Sequence, residues 1–257
     1  MSIFDIFHKK PENNQKKEIS KTNAIEKTEE DKRARDEKIM KNLEEHLEEQ
    51  RKTDPLIGAK VGAKMIYSQI VENLKETDNK LNVDNLLLVC SGLAGMSCQM
   101  TVRKLAELKQ LPLKQVLILV EYKNGKKYLM GDNLNYFLLE SQFSVYHLVL
   151  GIYHHIVPEK PLPDMHQYVR TCIDNLGKEN YKLWDKILEQ DIKKINFSFW
   201  EKSHAVAERY CKTPEELPIL YGLILQNAMQ TAIKVIDAEK VLDLTIENIL
   251  FSAKLDY

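Results

Sequence analysis

An uncharged run of eighteen residues, NLLLVCSGLAGMSCQMTV at positions 85–102, constrains the fold more than any other stretch of this chain. A membrane span needs about twenty predominantly apolar residues, and this run is shorter and is interrupted by serines, a glutamine and two glycines. A phosphate loop needs a glycine-rich turn between a strand and a helix, and the run has neither turn residues nor the usual lysine. The run therefore predicts a helix buried in the core of a folded domain.

Small residues within this predicted helix indicate close packing. A glycine inside a helix costs about 1 kcal/mol relative to alanine, so Gly92 and Gly95 are expected to have a packing role. The preceding predicted helix carries its own small residues, Gly58 and Gly62, in the segment GAKVGAK. We expect these two small faces to pack on each other in one close helix crossing.

The rest of the chain after residue 54 is predicted to be mainly helical, with one β-hairpin. The apolar run QVLILVEY at 115–122 is followed by Asn124-Gly125 and by KKYLMG. Asn-Gly between two such runs is the strongest short-range hairpin signal, because both turn residues must accept positive φ. Periodicity and capping residues predict helices over 55–76, 84–108, 134–140, 143–157, 164–176, 179–195, 198–211, 214–236 and 238–255.

The first part of the chain has a different composition. Residues 1–54 hold 27 charged side chains and few large apolar ones. Such a segment cannot bury enough surface to offset its ordering entropy, so residues 8–24 are expected to be disordered. Residues 25–52 predict a solvated helix, in which Ile39, Leu43 and Leu47 form one narrow stripe. This stripe covers barely two heptads of a coiled coil, and a charged tether and a partner-binding helix both stay open.

The predicted fold class is therefore mainly α (α+β), a multi-helix globular domain with one central β-hairpin behind a charged, partly disordered N-terminal arm. We place the arm at 1–53 and a single helical domain at 54–257, with the hairpin at about 114–131. At least seven helices are expected in that domain.

Charge and cysteine content narrow the function classes. The net charge is −1, so the chain has no overall field that favours nucleic acid, and we expect no nucleic-acid partner. The four cysteines are widely spread, no CxxC pair occurs, and the histidine spacing fits no zinc pattern. We expect neither a metal nor a cofactor. The start MSIFDIFHKK does not resemble an export signal, which favours a reducing, cytoplasmic location.

The densest group of polar residues in an apolar context is GDNLNYFLLESQFSVYHLVLGIYHH, directly after the hairpin. One interpretation places Asp132 or Glu140 beside His147, as a base oriented by a carboxylate, with Cys98 as the nucleophile. The alternative is structural: Asp132 caps a helix, Glu140 is paired, and His147 is a hydrogen-bonded residue of a buried helix. No nucleophile elbow or other catalytic signature accompanies these four residues.

The leading hypothesis is a non-catalytic cytoplasmic protein that binds another protein, as an adaptor or as an inhibitor of the immunity type. A long charged arm on a globular body without a catalytic signature motivates it. The alternative is an enzyme or a small-molecule sensor with a pocket near Asp132, Glu140, His147 and Cys98. A third hypothesis is peripheral membrane contact through Ile3, Phe4, Ile6 and Phe7. It is the weaker one, because one short apolar anchor gives only marginal binding. No transmembrane segment is predicted.

Overall fold

A computed structural model describes residues 41–75, 80–178, 182–183 and 187–257, together with Arg35 and Lys38. The chain divides into two units, Met1–Pro55 and Leu56–Tyr257. In the first unit, residues 41–51 form a helix, which we call α1, and Arg35 and Lys38 are also helical. The predicted disorder of 8–24 and the apolar group near the chain start lie outside the described residues.

The second unit is mainly α-helical, as the sequence predicts, and carries a central antiparallel hairpin. Its described part contains eight α-helices: α2 (Ile57–Leu74), α3 (Val83–Leu108), α4 (Asp132–Asn135), α5 (Val145–Ile156), α6 (Met165–Asn175), α7 (Glu189–Tyr210), α8 (Glu216–Ala232) and α9 (Ala238–Lys254). The hairpin pairs β1 (Ile118–Glu121) with β2 (Lys127–Met130), and a second short pair joins β3 (Lys182–Leu183) to β4 (Ile187–Leu188).

Helix α3 is the centre of this unit. It packs against α8 and α9 and also contacts α7, and every residue from Leu86 to Gln99 is buried. Among the described residues it is the one helix long and apolar enough to cross a membrane, but 89% of its most apolar window is covered by protein. The prediction of a buried core helix is confirmed.

The close helix crossings differ from the predicted one. A Cβ added at Gly95 would lie 2.9 Å from the backbone nitrogen of Ala253 in α9 and closer still to the carbonyl oxygen of Ile249. Gly92 faces Asn196 of α7, and Gly62 of α2 faces residues of α7 and α8. The prediction that the two small faces pack on each other was wrong, because a small face permits close approach but does not specify the partner.

The segment after α6 also differs from the prediction. We expected helices at 179–195 and 198–211, but the strands β3 and β4 occupy part of the first range. One continuous helix, α7, then begins at Glu189 and ends at Tyr210. The apolar spacing of Leu183, Ile187 and Leu188 fits both a helix and a short strand pair, and periodicity cannot separate the two over so few residues.

A buried polar network joins three helices of the core. Asn196 of α7 donates to Ser252 Oγ at 3.0 Å, and Ser252 donates to Asn248 Oδ1 at 2.9 Å. Asn248 in turn donates to the Leu88 carbonyl at 2.8 Å and to Ser91 Oγ at 2.7 Å in α3. Because an unpaired polar group in a core is costly, these bonds favour one register of α9 against α3.

Candidate functional site

Cys98, the predicted nucleophile, lies inside α3 and is fully buried. Its thiol is 3.5 Å from the Ala94 carbonyl oxygen, one turn earlier in the same helix. Burial raises the pKa of the Cys98 thiol far above its ordinary value, because a thiolate would be poorly solvated there. At neutral pH this side chain is a neutral thiol, which is a poor nucleophile.

His147 lies in the first turn of α5 and is exposed to solvent. Ser144 caps this helix by accepting a hydrogen bond from the His147 backbone N–H at 3.2 Å. The ring nitrogen Nδ1 is 2.8 Å from Ser144 Oγ and 2.9 Å from the Ser141 carbonyl oxygen. Because a carbonyl only accepts, Nδ1 carries the proton in the bond to Ser141, which leaves Nε2 as an acceptor when the ring is neutral.

The sequence predicts a buried helix at 143–157, but α5 is buried on one face only. Its buried face carries Val145, Tyr146, Val149, Ile152 and Tyr153. The opposite face exposes His147, Gly151, His154 and His155. This helix has so many apolar residues that its sequence shows no clear amphipathic pattern.

Asp132 and Glu140 are both exposed. Asp132 occupies the first turn of α4. Glu140 is the last residue of a π-helical turn, Tyr136–Glu140, that follows α4. The sequence predicts one continuous helix at 134–140, so this prediction was wrong. Within the described residues, neither carboxylate forms a hydrogen bond or ion pair with His147. The catalytic assignment of Asp132, Glu140, His147 and Cys98 stays a prediction.

The most distinctive surface of the second unit is the outer strand of the hairpin. On β1, Ile118 is 60% exposed and Leu119 is 51% exposed, whereas Tyr128 and Leu129 on β2 are buried. Leu119 pairs with Leu129 across the hairpin, and on its far side β2 makes an isolated bridge from Tyr128 to Leu255. In the part of the chain that the structure describes, no third strand pairs with the outer edge of β1.

Contacts with the segment after α6 explain why β2 is the inner strand. The turn places Gly125 at φ +79°, a conformation that glycine adopts without strain. The Asn124 side chain donates to the Gly177 carbonyl, and the Gly177 N–H donates to the Tyr128 hydroxyl at 3.1 Å. The rings of Tyr122 and Tyr128 meet edge to face with centroids 5.2 Å apart. These contacts fix the turn and β2 and leave β1 facing outward.

Further exposed apolar residues precede β1 in the chain. We define the hairpin surface as the exposed large side chains within residues 108–119, namely Leu108, Leu111, Leu113, Ile118 and Leu119. A groove of about 310 Å³ adjoins it, between the end of α3 and the π-helical turn, and is lined by Leu105, Leu111, Val116 and Phe137 among others. The residues of the hairpin surface are the exposed large apolar side chains that lie nearest to the edge of β1 along the chain.

The charges around the hairpin surface are predominantly basic. Lys109, Lys114, Lys123 and Lys127 are exposed within residues 109–127. The acidic residue of this range, Glu121, lies 3.5 Å from the Lys127 ammonium, and Glu107, just before the range, is exposed as well. The whole chain carries a net charge of −1, so this positive surface is a local feature. It would attract an acidic partner or an anionic surface.

No group of three or more histidine, cysteine or carboxylate side chains is placed to hold a metal ion within the described ranges. The chain matches no protein-family model, no curated protein and no solved structure.

Proposed function

We propose that this protein is a non-catalytic binding protein, and that the outer edge of β1 pairs with an extended segment of a partner protein. The observation that carries the proposal is the exposed apolar edge strand. An unpaired strand edge presents backbone N–H and C=O groups that can add a strand from another chain, and natural proteins usually cover or charge such edges. At positions 118 and 119 the edge of β1 carries Ile118 and Leu119 instead of charged residues, and both of these side chains are large, apolar and exposed.

The chemistry of the surface defines the expected partner segment. Backbone pairing with β1 would supply affinity, while Ile118 and Leu119 would contact apolar side chains on the two faces of the added strand. The exposed lysines near the hairpin favour acidic residues at the ends of that segment. The proposed partner is thus a protein with an extended segment of apolar residues flanked by Asp or Glu. An adaptor role and an inhibitor role of the immunity type are two forms of this activity.

The catalytic alternative has less support from the geometry. A nucleophilic role for Cys98 would require a thiolate, and burial raises the pKa of this thiol.

The four free cysteines are compatible with the reducing cytoplasm that we propose as the location.

The test compares three forms of the full-length protein as bait in lysate of the native host. Ile118→Glu combined with Leu119→Glu places two acidic residues on the edge, which should repel an acidic partner segment. Phe197→Glu is the matched control, since Phe197 is 47% exposed and lies on α7. Far-UV circular dichroism and thermal midpoints establish that both variants are folded.

We expect one stoichiometric partner that is retained by wild type and by Phe197→Glu and is lost from the double variant. Partner capture that is equal for all three forms would contradict the proposal. So would binding of wild type to anionic phospholipid vesicles that the double variant loses, because the surface would then serve a membrane.

A further inference from the structure

The outer edge of β1 offers a partner only a short ladder of backbone hydrogen bonds. The Tyr122 N–H donates to the Lys126 carbonyl oxygen at 2.9 Å, beside the paired residues Glu121 and Lys127. Backbone groups point alternately to the two sides of an antiparallel strand, so Leu119 and Glu121 direct their N–H and C=O groups away from β2. These two residues are therefore the positions at which an added strand can pair.

The ladder stops at the start of β1. The N–H of Leu117, the next residue in the outward-facing series, already donates to the Leu113 carbonyl oxygen at 2.9 Å. An added strand consequently forms few backbone bonds, and two paired strands alone are marginally stable in water. In most interfaces a few buried side chains carry most of the binding energy. We therefore expect the partner segment to be held also by a side chain beyond the end of this ladder.

The groove of about 310 Å³ between the end of α3 and the π-helical turn lies at this end of the ladder, because Val116, two residues before β1, lines it. The Asn133 side chain donates to the Val116 carbonyl oxygen at 3.1 Å and so fixes this wall. Three further lining side chains are apolar and buried, namely Val102, Ala106 and Phe137. A large apolar side chain that enters the groove would exchange water for apolar surface.

The rim of the groove carries one charge. Lys109 is the charged residue among those that line the groove, and it is exposed. The neutral amides of Gln115 and Asn133 and the side chain of Leu111, which is 40% exposed, also line it. An acidic residue next to the entering apolar side chain would approach Lys109, which agrees with the acidic flanks expected of the partner segment.

The direction of β1 sets the direction of the partner. Antiparallel pairing is slightly more stable per residue than parallel pairing, and an antiparallel segment would run from Glu121 towards Val116. We infer that the partner segment adds antiparallel to β1, and that one large apolar residue on the C-terminal side of its paired residues occupies the groove as an anchor. This inference rests on the proposed function, because it assigns a second contact to the same partner.

The test selects peptides from a phage-displayed random library on the immobilised full-length protein, and the peptide that binds most tightly is synthesised as the probe. Leu111→Gln makes the groove more polar and leaves β1 unchanged. Leu162→Gln is the matched control, since Leu162 is 52% exposed and does not line the groove. Isothermal titration calorimetry should show binding weakened about tenfold or more by Leu111→Gln, because burial of the anchor is impaired, and unchanged by Leu162→Gln.

Changes in the peptide repeat the test without altering the protein. Alanine in place of the peptide's anchor residue should weaken binding to wild type about tenfold or more, and should have a smaller effect on Leu111→Gln, where the contact is already impaired. A nitroxide spin label at the C-terminus of the peptide should broaden the amide NMR signals of Leu111 and Val116 more than that of Lys123. A label at the N-terminus should give the reverse pattern.

The outcomes separate this inference from the proposed function. If Ile118→Glu combined with Leu119→Glu abolishes peptide binding but Leu111→Gln does not weaken it, the groove is not an anchor site and only this inference is overturned. Stronger broadening of Lys123 by the C-terminal label would likewise overturn the antiparallel direction. Peptide binding that survives the double variant, or a library that yields no binding peptide, would contradict the proposed function as well. Thermal midpoints of all variants establish that a loss of binding is not a loss of folding.

Discussion

Replacing Gly95 by alanine tests the packing of α3 on α9 directly. The added methyl group would lie 2.9 Å from the Ala253 nitrogen and closer still to the Ile249 carbonyl oxygen, whereas carbon atoms in good contact are about 3.5–4.0 Å apart. Both obstacles are backbone atoms of α9, so the whole helix must shift. Overpacking of this kind costs about 1–3 kcal/mol, and loss of a mid-helix glycine returns up to about 1 kcal/mol. We expect Gly95→Ala to lower the free energy of unfolding by about 2 kcal/mol.

Gly151→Ala is the matched control, and we expect the opposite sign. Gly151 lies on the exposed face of α5, and an added Cβ would meet no atom within 4 Å. The substitution should therefore raise the free energy of unfolding by up to about 1 kcal/mol. Guanidinium denaturation followed by far-UV circular dichroism measures both values, and Gly95→Ala should also lower the thermal midpoint by about 4–8 °C. Equal stability of Gly95→Ala and wild type would refute the close approach of α3 and α9.

Three other outcomes follow from the burial of polar groups. A thiol reagent should label the half-buried Cys211 first and the three buried cysteines only after unfolding. Fast labelling of Cys98 in the folded protein would contradict the raised pKa of its thiol and favour the catalytic alternative. Lys254→Met should raise the free energy of unfolding near neutral pH by about 1 kcal/mol, because burial lowers the pKa of this ammonium and so disfavours its charged form. That gain should shrink as the pH rises from the lowered folded-state pKa towards the ordinary value of about 10.4, since the neutral amine carries no such penalty; urea titrations at several pH values decide the sign. Asn248→Leu should cost about 2 kcal/mol in the same titrations by removing Asn248 Oδ1, the acceptor for the buried Ser252 hydroxyl, and an unchanged midpoint would show that the polar network adds no stability.

The sequence predicts the elements of the second unit well where local signals are strong. Asn124-Gly125 correctly locates the hairpin, although of these two turn residues Gly125 alone has positive φ, where the sequence predicts it at both. The uncharged run correctly locates α3, because only a core accepts so many apolar residues on all sides. By contrast, the strands β3 and β4 are too short to leave a period of their own.

Features that depend on which elements meet could not be predicted from the sequence. The choice of the inner strand is one such feature: β2 is buried where the Tyr128 hydroxyl accepts a hydrogen bond from the Gly177 N–H, forty-nine positions later in the chain. His147 was placed in a buried helix, yet it lies on the exposed face of α5. Tyr168 of α6 donates to Asp243 of α9, seventy-five positions later in the chain, a distance over which a single sequence gives no pairing signal.

The most direct test of the proposed function is site-specific photo-crosslinking in the native host. A photoreactive phenylalanine analogue replaces Leu119 on the outer edge of β1 in one full-length protein and Phe197 on α7 in another. We predict that the analogue at position 119 crosslinks to one partner protein through an extended segment rich in apolar and acidic residues, and that the analogue at position 197 does not. Crosslinks to the same proteins from both positions, or to none from position 119, would contradict the assignment of this edge as a protein-binding site.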